Sequence, residues 1–248
     1  MQLLSFNGID IPDRAVAYEI PAITTVSRAT VAGARVGGFA LGITHPTRRY
    51  RVEGVFVRSS TKPLAVDSVI DQLRGAMATV GVLRQKMRDT TIRRCNAYLV
   101  SVAPIYDNVS SATNAQSLAL EFESDEFWCD DALSVSDLAS ATTLYAVNAG
   151  NAATAKLKIT ITSAIASTLT VTNTANSEAL VYGAAKSSGV SLVIDADAGT
   201  VTADGTNVYG NTSRADTQIA LLSLAAGVNK LTFSAAVTGR VEYRGCWV

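Results

Sequence analysis

The chain holds a single histidine, His45, with three cysteines and five prolines in 248 residues, and aromatic residues make up only 6%. A Ser-His-Asp triad, a histidine-assisted cysteine nucleophile and a histidine-rich zinc site would all have to use that one imidazole. It stands in Thr44-His-Pro46, a turn context with no nucleophile signature beside it. Cys95, Cys129 and Cys246 form no C-x-x-C motif and no disulfide framework, so three reduced, buried thiols are expected. Formal net charge is zero, which gives a general nucleic-acid or membrane-surface role no support. The opening MQLLSFNGIDIPDR lacks the basic head and apolar run of a signal peptide. The Ala/Thr/Ser-rich segment after Ile159 is too polar for a membrane span, and ordinary export is not expected. Zero net charge with a mean hydropathy of +0.22 suits life inside an assembly better than a freely soluble monomer.

What the chain has in quantity is β-forming and turn-forming sequence. Hydrophobic residues reach 48%, enough for a sizeable core, and abundant Ala, Thr, Ser and Val favour strands over Leu-rich helices. The stretch Ser191–Phe233 sets the tone as four short strands separated by turns. Leu192, Ile194 and Val201 keep the alternation of half-buried strands, and Asp197-Ala-Gly199 and Asp204-Gly205 carry turn chemistry. Nothing in it resembles a reactive centre.

Earlier in the chain, Asn7-Gly8 is a strong hairpin signal. Thr24–Val36 is β-rich and ends in a glycine cluster that lacks the Lys-Ser/Thr of a phosphate loop, so turn or bulge glycines are expected there. Arg48–Arg58 reads as a strand with Tyr50, Val52 and Phe56 on one face and Arg49, Arg51, Glu53, Val55 and Val57 on the other. Leu64, Val66, Val69, Ile70, Leu73 and Met77 recur at helical spacing, predicting one helix over about 64–80, opened near Pro63 and stopped at Gly81. Arg84–Arg94 is basic, and Ala97–Val102 reads as a strand. Gln116–Glu123 alternates, with Leu118, Leu120 and Phe122 inward and Glu121 and Glu123 outward.

Composition shifts near Ala139, and a domain boundary is expected between Asp137 and Thr142, giving domains 1–138 and 139–248. The second shows short strands at regular spacing: Leu144–Val147, Lys156–Thr162, Thr168–Thr172, Ala179–Tyr182, Leu192–Ile194, Thr200–Ala203, Gln218–Leu222, Lys230–Ser234 and Arg240–Trp247. The fold class is mainly β: a β-sandwich with one helix, followed by a two-sheet sandwich or jelly roll.

Candidate chemistry is sparse. Glu121, Glu123, Asp125 and Glu126 have the residue type of a glycosidase carboxylate pair, but Glu121 and Glu123 share the outward face of one strand, where a solvated or interface role is commoner. Asp195-Ala-Asp197-Ala-Gly199 opens like a calcium loop, yet Gly199 and Thr206 occupy ligand positions, so a hairpin turn is expected. No catalytic residue, cofactor or metal site is expected. A glycan-binding face in the second domain would draw on Tyr145, Tyr182, Tyr209, Tyr243 and Trp247, although core or rim packing accounts for each.

The order of these features resembles the distal tail protein family of long-tailed bacteriophages. The resemblance is carried by Phe6-Asn-Gly-Ile9, by Ala32-Gly-Ala-Arg-Val-Gly-Gly38 before the basic strand Arg49-Tyr-Arg-Val-Glu-Gly54, and by the helix that follows. In the second half it is carried by the Gly150-Asn151 turn, the strand Leu192-Val-Ile-Asp195 and the turn Leu224-Ala-Ala-Gly-Val-Asn229. It implies a non-enzymatic structural component of the tail tip or baseplate. The N-terminal domain would close a ring, six-fold in the family, and a galectin-like sandwich would project outward. The partners it implies are other copies of the chain, the tail tube protein, tail-tip or baseplate hub proteins, and a receptor-binding protein or host glycan, with no nucleic-acid specificity. The setting it implies is the virion tail tip, after synthesis in the host cytoplasm. Between Arg28 and Arg94 there are thirteen Lys or Arg against four acids, and between Asp107 and Asp137 eight acids and no base. Arg49, Arg51, Glu121 and Glu123 are therefore candidate inter-subunit residues on complementary faces, or else cross-strand partners within one sheet. A carbohydrate-binding adhesion module using the second sandwich is the alternative function.

Overall fold

Asn7 and Gly8 both take positive φ, 48° and 82°, the backbone of a two-residue turn whose twist matches the strands it joins. Those strands are β1 (Gln2–Phe6) and β2 (Ile9–Asp10), with Phe6 opposite Ile9. The computed structural model describes residues 2–11, 15–20, 25–30, 38–44, 47–58, 63–77, 79–105, 115–215, 218 and 220–247. The chain divides into two units, Met1–Glu126 and Phe127–Val248. The compositional boundary expected between Asp137 and Thr142 lies inside one continuous strand, Ser134–Asn148. His45, residues 31–37 of the glycine-rich stretch and residues 21–24 lie outside the described residues.

The first unit continues with β3 (Val16–Ile20), β4 (Thr25–Thr30), β5 (Gly38–Thr44), β6 (Arg48–Arg58), α1 (Pro63–Gly75), β7 (Val80–Lys86), β8 (Ile92–Ile105) and β9 (Ala115–Ser124). Its main sheet runs β2-β1-β7-β8-β9-β6-β3, and β4 and β5 pair with each other. Neighbours in this order are antiparallel. The sheet curls on itself: Phe6 on β1 and Phe122 on β9 are separated by two intervening strands, yet their ring centroids stand 5.0 Å apart. The inner face carries Leu3, Phe6, Tyr50, Val52, Leu83, Leu99, Leu118, Leu120 and Phe122, all buried. Each such side chain contributes roughly 1.5–3 kcal/mol of transfer free energy. In β6 the alternation holds through Glu53 and then breaks. Gly54 sits at φ +76°, the register shifts there, and Val55 falls opposite Leu118, a bulge that bends the strand.

Helix α1 is real but shorter than its hydrophobic spacing suggests. It buries Ile70 and Leu73, packs against β6, β8 and β9, and ends at Gly75 rather than near residue 80. Met77 already bridges Leu99, and Thr79 donates to the Ala76 carbonyl, closing the turn that follows. Gly81 is no stop signal. It lies in β7, where an added Cβ would approach the Phe6 ring to 2.6 Å. The basic run Arg84–Arg94 forms a second hairpin, with Arg84 directly opposite Arg94. Asp89 caps its turn by accepting from the Thr91 amide and hydroxyl, and those bonds hold its carboxyl below the ordinary range.

The second unit contains β10 (Trp128–Asp130), β11 (Ser134–Asn148), β12 (Leu157–Ile161), β13 (Leu169–Asn173), β14 (Glu178–Tyr182), β15 (Leu192–Asp195), β16 (Thr200–Ala203), β17 (Thr206–Asn207), β18 (Thr212–Arg214), β19 (Gly227–Tyr243) and β20 (Cys246–Trp247). Two departures from the periodicity organise it. Lys230–Ser234 and the start of Arg240–Trp247 belong to one 17-residue strand, and of the expected strand Gln218–Leu222 the described residues, 218 and 220–222, are not in a strand. The first half of β19 pairs β13 and the second half pairs β12, while β11 runs beside both halves. The β11–β19 ribbon thus crosses between two layers, β17-β16-β15-β12 and β13-β14-β18. It bends where its register shifts around Leu138–Thr143, beside Ser140 at φ 53°. Ile159, Ile161, Leu192, Ile194 and Val201 meet Leu169, Val171, Leu180, Leu231 and Phe233 in one core, the interior of a β-sandwich.

Three buried amides tie the loops to this core. Asn229 donates to the carbonyls of Ala225 and Gly227 at 2.8 and 3.0 Å and accepts from the Ala225 amide at 2.8 Å. Asn173 donates to Asn229 Oδ1 and to the Ser223 carbonyl. Asn148 accepts from the amides of Gly150 and Cys246 and donates to the Ala152 carbonyl.

The cysteines correct the expectation of three free thiols. Cys129 and Cys246 are disulfide-bonded, and only Cys95 remains a buried thiol. Spacing of 117 residues hid the pair. The ladder between β10 and β20 sets Cys129 opposite Cys246 and Trp128 opposite Trp247.

Candidate functional site

Strand alternation divides the first sheet into a buried inner face and an outer face, and the outer face carries the four charged candidates. Strands β6 and β9 are adjacent and antiparallel, with Arg49 opposite Glu123 and Arg51 opposite Glu121. Arg49 Nη2 reaches Glu123 Oε1 at 2.5 Å, and Arg51 forks between Glu121 and Glu53, both at 2.7 Å. The hydrogen bond to Glu53 leads the factors that raise the Arg51 guanidinium above its ordinary pKa. Tyr18 on β3 donates to the same Glu53 carboxylate at 3.2 Å. The structure brings all four candidates together as cross-strand partners within one sheet.

Other charged side chains have local partners as well. Asp125 accepts from Thr47, and Glu126 from the backbone and side-chain amides of Asn96. Asp195 accepts from the Ala198 amide inside its turn, and Asp197 pairs with Lys156 at 2.7 Å. Among the described residues no three His, Cys, Asp or Glu side chains converge on a metal position. A hollow of about 630 Å³ opens beside the β7–β8 hairpin, lined by Gln2, Gln85, Lys86, Met87, Arg88 and Asp89, a set without a nucleophile beside a base. In the second unit Tyr182 and Tyr243 are buried, whereas Tyr145 and Tyr209 are exposed.

Residues 149–247 match the family model of the siphovirus-type tail component, C-terminal domain. The match lies inside the second unit. Beyond this unit the likeness is one of fold. The whole chain superposes on the SPP1 Dit protein, described as a paradigm of the hub adsorption apparatus in phages infecting Gram-positive bacteria, with a TM-score of 0.68. That match covers 98% of each chain at 14% identity. Chains of the phage p2 baseplate in its activated conformation are also similar. Their TM-scores are 0.51 with strontium and 0.50 with calcium, at 9% identity over 95% of this chain and 92% of each of theirs. No curated protein sequence matches. The resemblance to distal tail proteins read from motif order is therefore borne out, as is the mainly β architecture. Sequence reasoning missed the hairpin formed by Arg84–Arg94, because its charged residues obscured a sound alternation; it read Asn148-Ala-Gly-Asn151 as a turn but not the buried bonds of the Asn148 amide.

Proposed function

We propose that this chain is a structural, non-enzymatic component of a siphovirus tail tip, the distal tail protein that joins the tail tube to the host-recognition apparatus. The observation that carries this reading is the tail-component match over residues 149–247 combined with a fold shared along 98% of the SPP1 Dit chain. Copies of the first unit close a ring, six-fold as in the family it resembles, and the second unit contacts other baseplate proteins. The virion tail is its working location. Its chemistry is that of assembly: a charged lattice satisfied within one sheet and a disulfide-closed sandwich, with buried amides serving backbone groups. Size-exclusion chromatography with light scattering, followed by negative-stain imaging, tests it. A closed ring with a central channel is expected, and a chain that stays monomeric at micromolar concentration would remove the ring reading.

A further inference from the structure

The hollow of about 630 Å³ at the tip of the β7–β8 hairpin has an inner lining and a rim of different chemistry. Gln85 and Met87, buried and half-buried, form the lining, whereas Lys86, Arg88 and Asp89 are all exposed. Gln85 is only 5% exposed. Among the described residues its carboxamide has one partner, the Met87 sulfur, 3.2 Å from Nε2. A thioether is a weak acceptor, and a buried carboxamide ordinarily finds better. The rim is basic. Between Arg84 and Arg94 five cations stand against the single acid Asp89, and that carboxylate accepts from the Thr91 amide and hydroxyl. On the β8 side, Glu126 accepts from the backbone and side-chain amides of Asn96. Lys86 and Arg88 form no ion pair among the described residues.

We propose that this hollow binds an extended acidic peptide segment of a partner protein. A peptide group of the segment meets Gln85, an apolar side chain lies against Met87, and carboxylates pair with Lys86 and Arg88. A peptide group offers one donor and one acceptor, the complement of a carboxamide. Methionine fits apolar side chains of varied shape, because its thioether chain is unbranched and adaptable. Alternate side chains of an extended segment share a side, so acids can reach the two rim cations while the residue between them turns inward. The volume lies within the range of about 300–1,000 Å³ typical of ligand sites. A phosphate polyanion would meet the cations of the rim but leave the carboxamide and thioether beneath them unused. The site goes beyond the ring reading and does not depend on it.

Fluorescence anisotropy on the full chain tests the site, with capped, dye-labelled octapeptides as probes. One set alternates Glu with Leu, Val or Phe, and a second carries Lys in place of every Glu. A single-stranded oligonucleotide serves as a polyanion of other chemistry. Members of the acidic set should bind, more weakly as salt is added, and the Lys set should not. Lys86→Glu/Arg88→Glu and Gln85→Leu should each weaken peptide binding by about tenfold or more, as expected for lost hydrogen bonds to charged or buried groups. Melting curves establish that each variant is folded. Lys86 and Arg88 are exposed, so their double variant keeps the test decisive if Gln85→Leu does not fold. Failure of every acidic peptide to bind, or binding unmoved in a folded variant, overturns the proposal. So does oligonucleotide binding that is tighter than peptide binding and lost in Lys86→Glu/Arg88→Glu. None of these outcomes bears on whether the chain forms a ring.

Discussion

Asn229 shows what a single side chain contributes to the sandwich. It is fully buried, and its amide group serves Ala225 and Gly227 while receiving Asn173. Replacing it by Ala would strand several buried polar groups at once, and an orphaned buried group costs about 1–3 kcal/mol. Asn229→Ala is therefore expected to destabilise the second unit by on the order of 3 kcal/mol, read as a lower urea midpoint with an unchanged slope. Cys95 illustrates burial acting on chemistry. Desolvation is the leading cause pushing its thiol pKa up, to about 12. Below that pH the group stays protonated, and the thiolate is the reactive form. Native protein at pH 8 should take up no iodoacetamide at Cys95, whereas denatured protein should take up one equivalent, counted by intact mass.

At the scale of elements, the disulfide joins the strand that opens the second unit, β10, to its last strand, β20. A covalent loop of this size removes about 4–5 kcal/mol of unfolded-chain entropy in the simplest model. Cys129→Ser/Cys246→Ser should lower the Tm of the second unit clearly, and reductant should lower the wild-type Tm without affecting the double variant. An unchanged wild-type Tm under reductant, with both thiols then titratable, would show that the bond adds no stability. The elements also show what was legible in the sequence. Alternation such as Leu118-Ala-Leu-Glu-Phe122 marked strands well, because each inward side chain contributes locally to one face. Lengths and joins were less legible. β11 and β19 run through a bend because they pair with each other, a long-range fact that no short window contains. Gly75 ends α1 while Gly81 fits beneath Phe6, and only the partner ring tells those two glycines apart. The disulfide pairing lay beyond reach for the same reason, its halves having a sequence separation of 117.

For the whole molecule, the question is which charges hold the sheet and which meet a neighbour. Legible in the sequence were four outward charges on two strands; the pairing of those strands was not, so a subunit contact and a ladder contact looked alike. The structure places Arg49 against Glu123 and Arg51 between Glu121 and Glu53. Screened, partly exposed pairs of this kind add little individually, but reversing them converts attraction into like-charge contacts directly across a ladder, which destabilise. Glu121→Lys/Glu123→Lys is therefore expected to lower the Tm of the first unit by a few degrees, more at low salt than at high salt. We propose that these four residues serve the ladder rather than the subunit contact, so the variant should still assemble at temperatures where it is folded. Sizing and melting the same preparation separates the roles. Loss of assembly without loss of melting temperature would assign the lattice to the interface between copies, whereas an assembled but less stable protein assigns it to the sheet itself.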